Sequence, residues 1–565
     1  MRKLSILFSA ALLTCTTSFA AQNITNDETT MQGDYLIGNT DACRYQTLAE
    51  AVLDFDTLAA AGKVSGDVNF LIASDLTETT NAGIINTTDY TLTIRPDKDE
   101  DRVITYKTAE DNDGPSGNFV IGGDMTTSIA FATTPTKNVV LDGAAAGKDT
   151  RRLSIVGTTT GGRAVVVYGK AENIVIKNCI IKHTRTSKAT HALEVRTEKS
   201  TDNAPVGLVV ENCYLEVVKT DNAQTIHLNG SQSSTAAGKP TNTTFRNCEI
   251  ASNLRGIFFN GAKDVNIEGC TFRLAKASAG YLAHAIMGNA QSGTINVKGN
   301  KFIENKTTNV SENDYGLQTI TASGGATVWV IENNYFAGYD ALNAVADKAI
   351  KLTAVRCGDS CVVRHNTFYM PKLTNAPATE LMSAYPITLL YLAGAKTSLV
   401  QNNIFVCDET TANVSLIRGS LTENTTGNKF YHAGGNAYIV AGGVVLCQDF
   451  AALGTNYAAQ AATSKWVAVN FVNAANGDLD LTGTSDGDVN LGVVRLEDVT
   501  TDIYGTDRDA YTYAGAYQGT EIKDPTTSVE DINANSVEVK KIVRNGQVLI
   551  IRDGKTYNMM GQVVE

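Results

Sequence analysis

The sequence predicts an all-β solenoid. It should be a right-handed parallel β-helix with an N-terminal cap that contains a helix, followed by a small C-terminal β module. Three observations predict it. The first is a recurring pattern, apolar-x-[Asn/Gly]-[Cys/Asn]-x-apolar, whose Cys/Asn position falls at Cys179, Cys213, Cys248, Cys270, Asn300, Asn334, Asn366, Asn403 and Asn428. The gaps of 34, 35, 22, 30, 34, 32, 37 and 25 residues are those of a stacked repeat. The second is a local period of two, as in Asn173–Lys177 and Asp264–Glu268, which marks half-buried strands. The third is that each repeat holds two or three such strands, enough for one coil whose crossovers should be right-handed.

The columns of the repeat give each position a task. Three residues before the Cys/Asn stand Ile176, Val210, Phe245, Ile267, Val297, Ile331, Val363 and Val400, and only Thr425 departs. Two residues after it stand Ile181, Leu215, Ile250, Phe272, Phe302, Phe336, Phe368, Phe405 and Phe430. Both columns should face the core. The residue just before it is Asn or Gly at every rung except His365, which suits a bend with left-handed backbone angles. Stacked Asn side chains can hydrogen-bond up such a ladder. Cysteines in the same column then act as small buried fillers. A leucine-rich repeat would need a leucine-dominated consensus that this chain lacks.

An open solenoid exposes its terminal rungs and needs a cap. Tyr35–Gly38, Tyr45–Leu53 and Val68–Ile72 read as strand, helix, strand, with Thr47 and Glu50 at capping-box spacing and Leu48, Val52, Phe55 and Leu58 on one helical face. This Tyr-x-Thr-Leu-x-Glu-Ala-Val helix followed by an apolar strand resembles the N-terminal cap of bacterial right-handed β-helix proteins of the pectin-lyase-like superfamily. Phe471–Leu481, Thr501–Arg508 and Gly515–Tyr517 resemble the closing segment of such proteins. The resemblance spans about residues 33–520. It implies the fold but no single activity, because that superfamily mixes lyases, hydrolases, esterases and adhesins.

The expected organisation is a signal peptide over 1–20, a β-helix over 21–520 with its cap at about 33–75 and closing segment at about 470–520, a linker over 521–530, and a module over 531–565. Met1-Arg-Lys3, the apolar run Leu4–Leu13 and Ser18-Phe-Ala20 carry the signal-peptide reading, with cleavage after Ala20. Leu12-Leu-Thr-Cys15 is a weaker, lipoprotein-like alternative. Arg552-Asp-Gly-Lys555 is a hairpin turn signal, and the tail is similar to C-terminal sorting modules of secreted Bacteroidota proteins. That similarity implies the export machinery as a partner and a secreted or outer-surface location. No later run of 18 apolar residues predicts a membrane span. A formal charge of −12 argues against nucleic acid as a partner. Cleavage would leave nine of the ten cysteines, an odd number, and Cys357 with Cys361 is the best local disulfide candidate.

Candidate chemistry lies on the strand before each bend, whose outward residues form two columns. One reads Val166, Glu194, His227, Phe258, Met287, Lys351 and Thr388. The other reads Tyr168, Arg196, Asn229, Asn260, Asn289, Thr353 and Leu390. A turn column beside them holds Arg163, His191, Gln224, Arg255, His284 and Lys348. Aromatic surface with Asn, Arg and His between it suits a glycan ligand, so Arg163, Tyr168, His191, Asn229, Arg255, Phe258, Asn260, His284 and Asn289 are the candidate binding residues. The alternative is a polysaccharide lyase or glycoside hydrolase with Glu194, Arg196 and His227 as catalytic candidates. A two-carboxylate glycosidase needs a partner that these columns do not offer to Glu194. No cofactor is expected. Asp97–Asp101 and Asp111–Gly114 are loops that could hold calcium only weakly.

Overall fold

A computed structural model describes residues 30–107, 117–124, 130–131, 135–158, 162–185, 190–198, 202–218, 223–233, 237–252, 254–274, 283–304, 316–339, 351–372, 387–393, 398–410, 414–419, 425–433, 439–441, 444–446, 463–525, 540–544, 547–552, 554–558 and 562–564. The signal-peptide residues, Lys348, the loop 111–114 and residues 526–539 lie outside these. Two compact units are distinguished, 1–265 and 266–565.

The first unit is a parallel β-helix. Met31–Ile37 pairs with Val64–Ile72, and α1 (Leu48–Ala60) lies between them in the chain. The capping box forms as predicted, with the Thr47 side chain on the Glu50 amide and Glu50 on the Thr47 amide. A residue the sequence reading passed over completes the cap. Glu78, fully buried, accepts the Leu48 amide at 2.7 Å, satisfying a helix-end donor from a different strand. Coils then begin well before the first cysteine. The column Ile104, Ile155, Ile181, Leu215, Ile250 runs in strict parallel register, and Leu141, Ile176, Val210, Phe245 runs beside it.

The second unit repeats the plan with different fillers. Phe272, Phe302, Phe336, Phe368, Phe405 and Phe430 stack with ring centroids 4.5–5.3 Å apart, close to the strand spacing. Asn300, Asn334, Asn366, Asn403 and Asn428 form a ladder in which each Nδ2 donates to the next Oδ1 at 2.9–3.0 Å. Each Asn from 334 on also accepts the backbone amide of the preceding Asn.

The bend column behaves as its residue types require. Asn178, Asn212, Asn247, Gly269, Gly299, Asn333, His365, Asn402 and Gly427 have φ between 49° and 68°. His365, the exception by type, adopts the same left-handed angle. Its strain is supported by contacts of its Nδ1 with the Gly515 carbonyl at 3.3 Å and of its Nε2 with Asn402 at 3.2 Å.

Two expectations need correction, the outward columns beyond Met287 and the pairing of Cys357 with Cys361. The outward column from Met287 continues through Thr321, Arg356, Tyr391 and Arg418, not through Lys351 and Thr388. Thr353 pairs with Gln318 and Thr388, while Leu390 points into the core opposite Val355. The columns passed over the strand Gly316–Ala322 and took the early positions of Lys351–Cys357 and Ile387–Leu392 for the outward ones. Residues 470–520 pack against the coils of their unit. Arg508 is buried there, bonding Asn333 Oδ1 and the Gly515 carbonyl at 2.9 Å, and the Gly515 amide donates to the Asn402 carbonyl at 2.7 Å. Cys357 and Cys361 are buried free thiols and form no disulfide. The tail hairpin forms across Arg552 and Lys555, with a further antiparallel strand, Lys540–Arg544.

Candidate functional site

Four adjacent strands of the first unit carry the site: β1 (Arg163–Tyr168), β2 (His191–Arg196), β3 (Gln224–Asn229) and β4 (Arg255–Asn260). Their register stacks Val166, Glu194, His227 and Phe258 in one outward column and Tyr168, Arg196, Asn229 and Asn260 in the next, as the sequence columns predicted. Inward neighbours Val165, Leu193, Ile226 and Ile257 are fully buried and anchor the strands.

Glu194 is the centre of this face and has no solvent exposure. Arg163 Nε donates to its Oε2. Asn229 Nδ2 donates to Oε1 at 2.9 Å, with His227 Nδ1 at 3.5 Å and Arg196 Nη1 at 3.7 Å from the same oxygen. Burial opposes ionisation here, but the positive field of Arg163, with Arg196 beside it, outweighs it and holds the carboxyl well below the usual range.

The imidazoles are held uncharged. Burial lowers His227 to about 4, against the pull of Glu194, and holds His191 well below its ordinary value. Both rings are therefore neutral near pH 7. His191 Nδ1 lies 3.1 Å from the Gln224 carbonyl, which makes Nδ1 the donor and leaves Nε2 with the lone pair. The two rings are 4.9 Å apart, and His227 stacks on Phe258 at 5.2 Å. Neither His227 nitrogen has a hydrogen-bond partner.

The predicted residues divide. Arg163, His191, Arg196, His227 and Asn229 gather around the Glu194 carboxylate. Phe258 is not a free stacking surface, since His227 lies on it and the Arg255 guanidinium sits 5.0 Å from its centroid. Tyr168 is 3% exposed and packs with Val120 and Val166 rather than offering its ring outward. Asn260 stands opposite Asn229 and is half-buried. His284 and Asn289 open and close one strand of the second unit, with His284 buried. Sequence columns missed Arg356, Tyr391 and Arg418, where the Arg418 guanidinium lies 5.0 Å from the Tyr391 ring. They lie on the strands Lys351–Cys357, Ile387–Leu392 and Val414–Gly419, at positions the columns did not reach.

Two metal-binding possibilities arise. His191, Glu194 and His227 bring one ligand atom each within 4.8 Å of one another. In the acidic loop, Asp97 and Glu100 pair with Arg102 at 2.8 and 3.3 Å, and Asp99 and Asp101 pair with Arg152 at 2.9 and 3.1 Å. Those carboxylates face arginines instead of converging on a cation, which argues against calcium at 97–101.

No family model and no curated protein matches the chain. Among solved structures, PfbA, a surface adhesin of Streptococcus pneumoniae, is similar with a TM-score of 0.39 and 13% identity, over 68% of this chain and 88% of that one. A rhamnogalacturonan lyase gives 0.34 and 11%, over 68% and 84%. A PL6 family alginate lyase, AlyGC, gives 0.34 and 10%, over 78% and 54%. At such distances the site must be read from its own residues.

Proposed function

We propose that the protein is an exported β-helix that binds a glycan at the cell surface through the β1–β4 face, without chemical turnover there. The observation that carries this is the state of Glu194. A glycosidase acid must hold a proton at working pH, and a base or nucleophile must present a free lone pair to substrate. Glu194 does neither, because it is ionised, buried and engaged at both oxygens by Arg163 and Asn229. The half-buried Asn229, Asn260 and Arg255 offer directional polar contacts of the kind sugar hydroxyls need. Export rests on the Met1–Ala20 pattern, and delivery through the outer-membrane machinery on the 531–565 tail.

The test is a glycan array together with a polysaccharide panel assayed for unsaturated products and new reducing ends. Binding without products is expected. A chain that binds no glycan sinks the proposal. Export is checked by the N-terminus of the mature protein, expected at Ala21.

A second reading, a metal-free lyase, draws on one feature: His227 is neutral with free ring nitrogens, as a base requires. Products that vanish in His227→Ala would establish it.

A further inference from the structure

We propose that the second unit carries a separate binding site on its own outward sheet face, where Arg356 and Tyr391 hold a carboxylate borne on a sugar. It shares with the reading above only the broad class of ligand. Four parallel strands carry it: β5 (Gly316–Ala322), β6 (Lys351–Cys357), β7 (Ile387–Leu392) and β8 (Val414–Gly419). Their register stacks Thr321, Arg356, Tyr391 and Arg418 in one outward column. Neighbouring rungs are about 4.8 Å apart. The inward residues Val355, Cys357, Leu390 and Ile417 are fully buried and fix where the outward side chains stand.

Arg356 is the group that lacks a partner. Its Nε is buried without an acceptor, and among the described residues no carboxylate or hydrogen-bond acceptor meets its guanidinium. The residue as a whole is half-buried, so the two Nη groups, not Nε, are what solvent and a ligand reach. Asp359, the acid nearest in sequence, is engaged at the following turn by the Gln291 side chain and the Gly325 amide, both at 3.3 Å. Tyr391, one rung on from Arg356, is also half-buried, and its hydroxyl meets no partner among the described residues. Arg418 lies over the Tyr391 ring at 5.0 Å and has other partners, so it steadies the ring and is not counted as a donor.

These groups match a carboxylate. The planar arginine fork presents parallel N–H bonds to its two oxygens, and the Tyr391 hydroxyl donates to one of them. A charged donor without a counter-ion, held on a rigid sheet, binds such a group with little ordering cost. The surroundings are short and polar. Gln318 accepts from Thr321 Oγ1 at 2.9 Å, which leaves its NH2 to donate, and Thr353 stands half-buried beside it on the next rung. Amide and hydroxyl groups of this kind suit the hydroxyls of a sugar ring, which favours a carboxylate on a glycan over one on a peptide. On a chain whose formal charge is −12 the attraction is local to this column.

The experiment uses the full mature chain on an array of uronate-containing and sialylated oligosaccharides, each beside its carboxyl-reduced counterpart, at low and high salt. Carboxylated forms should bind at least about 10-fold more tightly than their reduced counterparts, and salt should erode the difference. The uronate and sialylated arms decide which acid is preferred. Arg356→Gln should abolish the difference while leaving the reduced forms unchanged. Arg356→Lys, which keeps the charge but not the fork, should fall between it and the parent. Tyr391→Phe should weaken the carboxylated forms about 3-fold or more. Melting temperature checks that each variant folds. Should Arg356→Gln not fold, Arg356→Lys and Tyr391→Phe carry the test. A preference for acidic forms that survives Arg356→Gln overturns the proposal. Polyglutamate bound through Arg356 while no carboxylated glycan binds overturns the sugar as occupant. Carboxylated forms bound through Arg356 while no neutral glycan binds support this site and count against the β1–β4 reading. Neutral and carboxylated forms bound equally do the reverse, and binding to no glycan overturns both.

Discussion

The two units solve one packing problem with different residues. In the first, the column after the bend holds Cys179, Cys213 and Cys248, backed by Ile181, Leu215 and Ile250. In the second, Asn300 to Asn428 fill that column for five rungs, backed by stacked phenylalanines. Only Cys270 carries the first filler into the second unit. The backbone is the same in both, since the bend residues share one left-handed angle. What differs is how the corner is held. Cysteine thiols make weak sulfur contacts with the backbone, such as Cys213 Sγ to Glu211 O at 3.2 Å and to Ile176 O at 3.6 Å. Each inner Asn satisfies a backbone amide, a backbone carbonyl and two neighbouring side chains. Asn366 accepts from the Asn334 amide and Nδ2, and donates to Ile331 O and Asn403 Oδ1. The cysteine corner is a spacer, and the asparagine corner is a network that depends on every member.

Substitutions can break this contrast. The largest effect should come from Phe336→Ala, which leaves a cavity between two stacked rings and should cost about 3–5 kcal/mol. Urea unfolding of the second unit, followed by hydrogen exchange at Phe302 and Phe368, would measure it. Asn366→Ala removes one ladder member and strands partners on both sides, at about 2–4 kcal/mol. Its loss of exchange protection should spread to the Asn334 and Asn403 rungs, because neighbouring coils are coupled. A change confined to its own rung would mean the ladder is not cooperative.

Acid should act on the first unit. His227 is pushed down to about 4 by burial, from an ordinary value near 6.5. A depressed histidine favours the fold while neutral, so its contribution is complete above about pH 6.5 and falls as pH drops toward 4, by at most about 3 kcal/mol. The depressed Glu194 works in the same direction at still lower pH. Stability of the first unit measured from pH 7 to 4 should therefore decline, and His227→Phe should flatten that slope. The smallest effect should be Cys213→Ala, at about 1 kcal/mol, since it removes a small filler with weak contacts. A loss equal to that of Asn366→Ala would show the cysteines to be more than fillers.

Much of this architecture was legible in the chain itself, for reasons of range. Asn or Gly before each Cys/Asn reports a left-handed angle that a single residue must adopt, and the alternating apolar columns report which side of a strand is buried. Thr47 and Glu50 report a helix start within four residues. The β1–β4 register followed, because those four strands lie at near-regular spacing.

Tertiary structure decided what depends on distant partners. Period two neither counts rungs nor fixes where along a strand the outward column lies, so the columns after Met287 fell on Lys351 and Thr388 instead of Arg356 and Tyr391. Glu78 reaches α1 from 30 residues away, and Arg508 finds Asn333 from 175 away. Above all, the sequence could place Glu194, His227 and Arg196 on one face but not show that Arg163 and Asn229 clamp the carboxylate there. Whether a carboxylate is a catalyst or a clamped ion depends on its burial and on the groups within 4 Å. Here those groups come from three different coils, and only folding brings them together.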